Sequence, residues 1–228
     1  MSESISSTET FPRKPTVYER DGQWYATLGG NKGVLIKDKT LAKTAFVAME
    51  GKKRYRSHSR SSMISKHFAD IAQATDCHLA MTYALGAPSS EAVSISKKYN
   101  ERELQRQGAE VSDTIIGARA SIDRVLETGE PAVVIFRQGP TMGGRFPAFP
   151  GGGHSFIVLG KDDGGRYVSF EKTNPGLRAQ FKLTNLTRIL LGWQMFVAMP
   201  LGTWTVSPFS TVQEIVDRYR VRKQAGDT

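Results

Sequence analysis

Three side chains in this sequence could together make and break an acyl bond. Cys77, in the stretch ATDCHLAMTYALG at 74–86, is the only cysteine in the chain. His154 directly follows a glycine-rich segment, and Glu171 lies on the next strand that the sequence predicts. A thiolate is a strong nucleophile, an imidazole can carry its proton, and a third polar group commonly orients the imidazole through its second nitrogen. These residue types predict nucleophilic catalysis if the fold brings them together.

The predicted elements place each of these residues near the end of a helix or strand. Residues 77–86 have the apolar spacing of a helix that begins at about Cys77, and the positive end of a helix dipole stabilises a thiolate. The segments HSFIVLG and RYVSFEK, separated by DDGG, are typical of a β-hairpin. A turn at 163–165 would bring Glu171 back alongside His154.

Each candidate also fits a structural role: a lone cysteine commonly packs in a core, His154 could form hydrogen bonds at a loop end, and Glu171 could be a solvated strand residue. Asn174, just past the second hairpin strand, is an alternative to Glu171 as the orienting group. His78 adjoins Cys77, but helix neighbours point about 100° apart, so His78 ranks below His154 as the base. A zinc site made of these histidines and the cysteine lacks the paired ligand spacing of zinc proteins, and we expect no cofactor.

The rest of the chain predicts an α+β fold in which helices come first and an antiparallel sheet follows. The GGNKG at 29–33 lacks the Gly-Lys-Ser/Thr ending of a phosphate loop, so a turn is expected there. Ser112 and Asp113 are candidate caps of a helix with the apolar stripe Ile115, Ile116, Ile122, Val125 and Leu126, closed by Gly129. The other predicted elements are the strands TVYER, QWYATL, GVLIKD, AVVIF, LRAQFKL at 177–183 and WQMFVAM at 193–199, and a helix from Ser89 or Ser90 through SISKKYNERELQRQ.

Composition limits the class of protein. A chain of 228 residues suits one large domain, and no stretch has the ~20 apolar residues of a membrane span. One cysteine excludes an intrachain disulfide. Part of the net charge of +9 lies in the basic run 51–66, which suits a solvated linker, an anionic surface or nucleic acid. Residues 1–15 have the composition of a disordered leader, without the apolar core of a Sec signal peptide.

Four motifs resemble the papain-like cysteine peptidase superfamily over about residues 70–175. DCHLAMTYAL resembles the D-C-x-x-A block of peptidases that process bacteriocin leaders, the Asp-Cys helix start of bacterial cell-wall endopeptidases, and the nucleophile helix of amidase toxins. VLETGEPAVVIF resembles their l-x-x-G-x-P-x-v-v element. GGHSFIVLG resembles G-H-x-x-V-x-G, and YVSFE stands where these families have Y-V-x-x-D.

The resemblance implies a papain-like domain over 61–228, with N-terminal helices packed on a C-terminal antiparallel β-sheet. Residues 16–60 would be a small β-rich extension with a basic linker. Cys77 would be the nucleophile, His154 the general base and acid, and Glu171 the orienting group, a place more often held by Asp or Asn.

Two further roles follow from the resemblance. Gln73 would donate to the oxyanion together with the N–H of Cys77, although it lies only four residues before the cysteine, closer than is usual. Asn174 could take the orienting role that asparagine has in papain. His78 replaces the small residue that commonly follows the nucleophile.

The predicted function is a cysteine-dependent amide hydrolase, a protease or a peptidoglycan amidase. We expect it to be cytoplasmic in the producing cell and delivered outside by a Sec-independent system as a bacterial effector. Expected partners are a protein or peptidoglycan peptide substrate, an anionic surface contacted by 51–66, and a secretion chaperone or immunity protein. The alternatives are an inactive papain-like binding module, a protein-glutamine deamidase or transglutaminase with the same triad, and a nucleic-acid-binding protein.

Overall fold

A computed structural model describes residues 10–55, 77–86, 95, 101–138, 153–173, 180–190 and 202–224. Its strands are β1 (Thr16–Arg20), β2 (Gln23–Thr27), β3 (Val34–Ile36), β4 (Glu110–Ser112), β5 (Ala132–Gln138), β6 (Gly153–Lys161), β7 (Tyr167–Thr173), β8 (Gln180–Asn185) and β9 (Gly202–Pro208). Its helices are α1 (Lys39–Tyr55), α2 (Cys77–Ala84), α3 (Glu101–Arg106), α4 (Ile115–Glu127) and α5 (Phe209–Gln224), and residues 186–190 are also helical.

The predicted α+β class is confirmed. Six strands form one sheet in the order β4-β9-β5-β6-β7-β8, and every neighbouring pair is antiparallel. The predicted hairpin is β6–β7, with a bulge between Val158 and Gly160 and a turn in which the N–H of Gly165 donates to the carbonyl of Asp162. The last strand, β9, lies between β4 and β5, so the sheet is not assembled in chain order.

The central strands are covered on both faces, which explains their continuous apolar sequence. Alternate residues such as Ile157 and Leu159 face a core that includes α1, α2 and α5. The residues between them, such as Phe156 and Val158, face a second core that includes α4 and the helical residues 186–190. Helices therefore pack against both faces of β6, the strand that carries His154.

The three-stranded sheet β1-β2-β3 is antiparallel, as the sequence predicts, and its buried aliphatic residues join the first of these cores. The glycine-rich segment 29–33 connects β2 with β3, so the predicted turn is confirmed. Gly33 has φ of 84°, and a β-carbon there would lie 2.3 Å from the carbonyl oxygen of Ala26. Only glycine fits this position, because both the backbone angle and the available space exclude a side chain.

Helix α1 was not predicted. The carboxylate of Asp38 accepts the N–H of Leu41 at 2.7 Å and caps the helix, whose apolar residues face the first core. Residues 51–55, which we expected in a basic linker, belong to α1. The remainder of the basic run, 56–66, and the expected domain boundary between 60 and 61 lie outside the described residues.

Helix α4 begins later than predicted. Its N-cap is Thr114, whose hydroxyl accepts the N–H of Gly117 at 3.0 Å, and neither Ser112 nor Asp113 takes that position. Ile116 is 84 % exposed, so its place in the predicted apolar stripe is wrong. Gly129 follows the helix with φ of 83°, and its N–H donates to Leu126, as expected of a closing glycine.

Other predicted elements are only partly described. Strand β8 begins at Gln180, within the predicted LRAQFKL, and α3 is the end of the predicted second helix. The predicted strand at 193–199 lies outside the described residues, and β4, β9 and α5 were not predicted. Within the described parts of the chain, no helix is long and apolar enough to cross a bilayer.

We expect Gly33→Ala to destabilise the protein more than Gly22→Ala. Gly22 has a similar φ of 73° but open space around a β-carbon, so its substitution carries only the backbone cost of about 1–2 kcal/mol. At Gly33 the contact with the carbonyl of Ala26 adds to this cost. Urea unfolding of both variants measures the difference, and equal midpoints would contradict the packing constraint at Gly33.

Candidate active site

Three elements converge at one end of the large sheet. Cys77 opens α2, His154 is the second residue of β6, and Glu171 lies in β7 directly opposite Phe156. His154 is 8 % exposed and Glu171 only 2 %, while Cys77 is partly exposed. The structure therefore brings three of the five predicted site residues together, with the sulfur nearest to solvent.

The sulfur of Cys77 lies where the pairing of β6 with β7 ends. That pairing runs from Lys161–Tyr167 to Phe156–Glu171, and one residue further the N–H of Ser155 donates to Cys77 Sγ at 3.3 Å. Met81, four residues after the cysteine on α2, is fully buried in the core and anchors the helix against the sheet. A backbone N–H and a helix N-terminus both stabilise negative charge on the sulfur.

His154 is held from several sides. Its Nε2 lies 2.9 Å from Glu171 Oε2, and its ring stacks on that of Phe156 with centroids 5.5 Å apart. The imidazole also hydrogen-bonds Cys77. Because Glu171 engages Nε2, Nδ1 is the ring nitrogen available to the thiol. The imidazole therefore lies between the thiol of Cys77 and the carboxylate of Glu171.

The electrostatics of the pair favour charge on both partners. Burial lowers the pKa of His154, but the hydrogen bonds with Cys77 and Glu171 outweigh it and raise the pKa to about 9. Burial raises the pKa of Glu171, but the hydrogen bond and charge of His154, the charge of Lys182 and a hydrogen bond from Thr184 bring it below its ordinary value. Both shifts favour an imidazolium paired with a carboxylate at neutral pH.

Two other predicted site residues, Gln73 and Asn174, lie outside the described residues, and so does the side chain of His78. Their roles stay predictions. Within the part of the chain that the structure describes, no group of three metal-binding side chains occurs.

Sequence reasoning missed the residues that surround Cys77, His154 and Glu171. Phe156 stacks on the imidazole, the N–H of Ser155 binds the sulfur, and Lys182 and Thr184 on β8 bind Glu171. The polar residues of QFKLTN alternate with buried ones, which could have indicated a strand that faces the acid. The register that pairs Lys182 with Glu171 is not visible in the sequence.

Comparison with known proteins adds no assignment. No protein-family model matches the chain, and no curated protein or solved structure matches it. The juxtaposition of thiol, imidazole and carboxylate is the observation from which a function can be inferred.

We expect the imidazole of His154 to keep its proton to about pH 9. Glu171→Gln removes a hydrogen bond and a negative charge that both raise this pKa, so the midpoint should move to lower pH. Two-dimensional NMR of the histidine rings across pH 5–10 measures it, and a His154→Gln spectrum assigns the signal.

The control is Glu110→Gln, which removes an ion-paired carboxylate on β4, at the far edge of the same sheet. The control should leave the His154 midpoint in place. Identical midpoints in wild type and Glu171→Gln would show that Glu171 does not set the charge of the imidazole.

Proposed function

We propose that this chain is a cysteine-dependent amide hydrolase with a papain-like arrangement. The observation that carries the proposal is the hydrogen-bonded series of Cys77, His154 and Glu171, contributed by three separate elements. A buried core cysteine needs neither an imidazole nor a buried carboxylate behind it. A helix that begins at the cysteine and an antiparallel sheet that carries the histidine and the acid also agree with the resemblance in the sequence.

The proposed reaction has two stages. In the first, the thiolate of Cys77 attacks the carbonyl carbon, a C–S bond forms, and the carbonyl oxygen becomes an oxyanion. His154 then gives its proton to the amine nitrogen, and the C–N bond breaks. In the second stage a water attacks the thioester and His154 takes its proton, so the acid leaves and the thiolate returns.

Glu171 and the backbone serve this chemistry without forming bonds to the substrate. The carboxylate accepts the Nε2 hydrogen of His154 and stabilises the imidazolium, so Nδ1 faces the reacting atoms. The N–H of Cys77 is our proposed donor to the oxyanion. Gln73 is a second proposed donor, on the resemblance alone.

The proposed substrate is a protein or a peptidoglycan stem peptide outside the producing cell. The basic composition, with a formal charge of +9, suits an anionic wall or surface. Transfer of the acyl group to water or to an amine uses the same thioester. A glutamine deamidase or transglutaminase would therefore need the same three residues.

Alkylation tests the thiolate directly, because the chain contains only one cysteine. We expect iodoacetamide to modify Cys77 readily at pH 6, and His154→Ala to slow the reaction by at least about tenfold, since the imidazolium stabilises the thiolate. Mass spectrometry of timed samples measures the rate. Both proteins should label equally after unfolding in urea, and equal rates in the folded state would favour an inactive scaffold.

Substrate class is tested with purified peptidoglycan and, separately, with a cell lysate. We expect wild type to release new fragments from one of them and Cys77→Ala to release none, since the variant binds but has no nucleophile. Chromatography with mass spectrometry detects the products. Ammonia without fragments would instead identify a deamidase, and no thiol-dependent product from either material would contradict hydrolysis of these substrates.

A further inference from the structure

Strand β8 places a cation behind the carboxylate of the site. Lys182 is the direct cross-strand partner of Glu171, and its Nζ lies 3.6 Å from Glu171 Oε1. The other carboxylate oxygen, Oε2, faces His154. Thr184, two residues along the same face of β8, also lowers the pKa of the carboxylate. Glu171 therefore contacts the imidazole through one carboxylate oxygen and faces β8 through the other.

The charges of the site do not balance without Lys182. With the cysteine as thiolate, the imidazolium and the carboxylate leave a net charge of −1, and Glu171 is only 2 % exposed. Buried charge is costly unless it is paired. Among the described residues, His154 and Lys182 are the cations that face Glu171, and Lys182 brings the total to zero. Its side chain is 44 % exposed, so its own charge remains hydrated.

We propose that Lys182, assisted by Thr184, is a positioning residue that keeps Glu171 ionised and accepting a hydrogen bond from His154 throughout the reaction. This inference rests on the proposed hydrolase, because it assigns a residue to that site. Lys182 acts through Glu171 and needs no contact with the substrate.

The positioning role of Lys182 matters most after the first half-reaction, when the thioester has formed. The thioester is uncharged, and His154 has given its proton to the leaving amine. Neutral His154 must now hold hydrogen on Nε2 and offer Nδ1 to the attacking water. A protonated Glu171 would donate to Nε2 and force the hydrogen onto Nδ1, the wrong tautomer for a base there. The nearby ammonium disfavours protonation of Glu171, so it keeps the imidazole in the reactive tautomer.

The test uses three variants of the full chain. Lys182→Met removes the charge and keeps a flexible apolar stem, and Lys182→Arg keeps the charge. Lys161→Met is the matched control. Lys161 is the last residue of β6, at the opposite end of the strand from His154, and its side chain is 46 % exposed. Its Nζ forms an ion pair of 3.2 Å with Asp123. Thermal unfolding of each variant establishes that it folds.

Two readouts report on the charge of Glu171 rather than on stability. Carboxyl-carbon NMR, assigned with Glu171→Gln, follows its titration, and the rate of Cys77 alkylation is measured from pH 4 to 7. We expect Lys182→Met to move the titration midpoint of Glu171 to higher pH. It should also slow alkylation at the acidic end of this pH range by up to about fivefold, because an ion pair with a half-exposed lysine contributes only modestly. Lys182→Arg should restore both readouts, and Lys161→Met should match wild type.

The outcomes separate the two proposals. If His154→Ala slows alkylation but Lys182→Met leaves the Glu171 midpoint and the alkylation profile unchanged, Lys182 has no positioning role and the hydrolase proposal stands. If His154→Ala itself leaves alkylation unchanged, the proposed function fails. A shift in Lys161→Met equal to that in Lys182→Met would also overturn the inference, since it would reveal a general charge effect.

Discussion

A buried imidazole and a buried carboxylate, 2.9 Å apart, set the requirements for everything around them. An unpaired charge is energetically unfavourable in a buried site, so each of these groups needs hydrogen-bonding or oppositely charged partners. His154 is bound by Cys77 on one side and Glu171 on the other, and β8 binds the far side of Glu171. The pair is thus part of a series of contacts that begins at the sulfur of Cys77 and ends at the half-exposed Lys182.

The topology of the sheet makes this series rigid. β6 and β7 are interior strands, with β5 and β8 on their outer sides, and apolar cores cover both faces. A shift of one residue in either register would move the histidine or the glutamate to the opposite face. The many buried contacts of β5 and β6 oppose such a shift, and so the fold fixes the distance between Glu171 and His154. Helix α2, which carries Cys77, approaches from outside the sheet.

Local patterns in the sequence predict the parts of the fold that local chemistry determines. The hairpin β6–β7, strand β5, the start of α2 and the small sheet follow from apolar spacing and turn residues. Strand β9 escapes the same reasoning because Thr205 and Ser207, both polar, are completely buried in it, so the strand lacks a continuous apolar run. Helix α1 was missed because Lys52, Lys53 and Arg54 suggested a linker, although cations are favourable in the last turns of a helix.

The site shows the same division between local and long-range information. Cys77, His154 and Glu171 could be selected by residue type and by their positions at element ends. Lys182 could not, because its relevance depends on a strand register that brings together residues from different segments. The pairing Glu171–Lys182 is set by β7 and β8, whose apolar residues Phe170 and Phe181 stack with centroids 4.8 Å apart.

The same register suits the side-chain length of a glutamate at position 171. Glu171 is directly opposite Phe156, whereas His154 lies two residues away along β6, so the carboxylate reaches its histidine diagonally. Diagonal neighbours in an antiparallel pair lie about 7–8 Å apart, farther than direct partners. The extra methylene of glutamate spans this distance while Oε1 still reaches towards Lys182 on β8. Side-chain length and strand register are therefore matched, and a change in one would require a compensating change in the other.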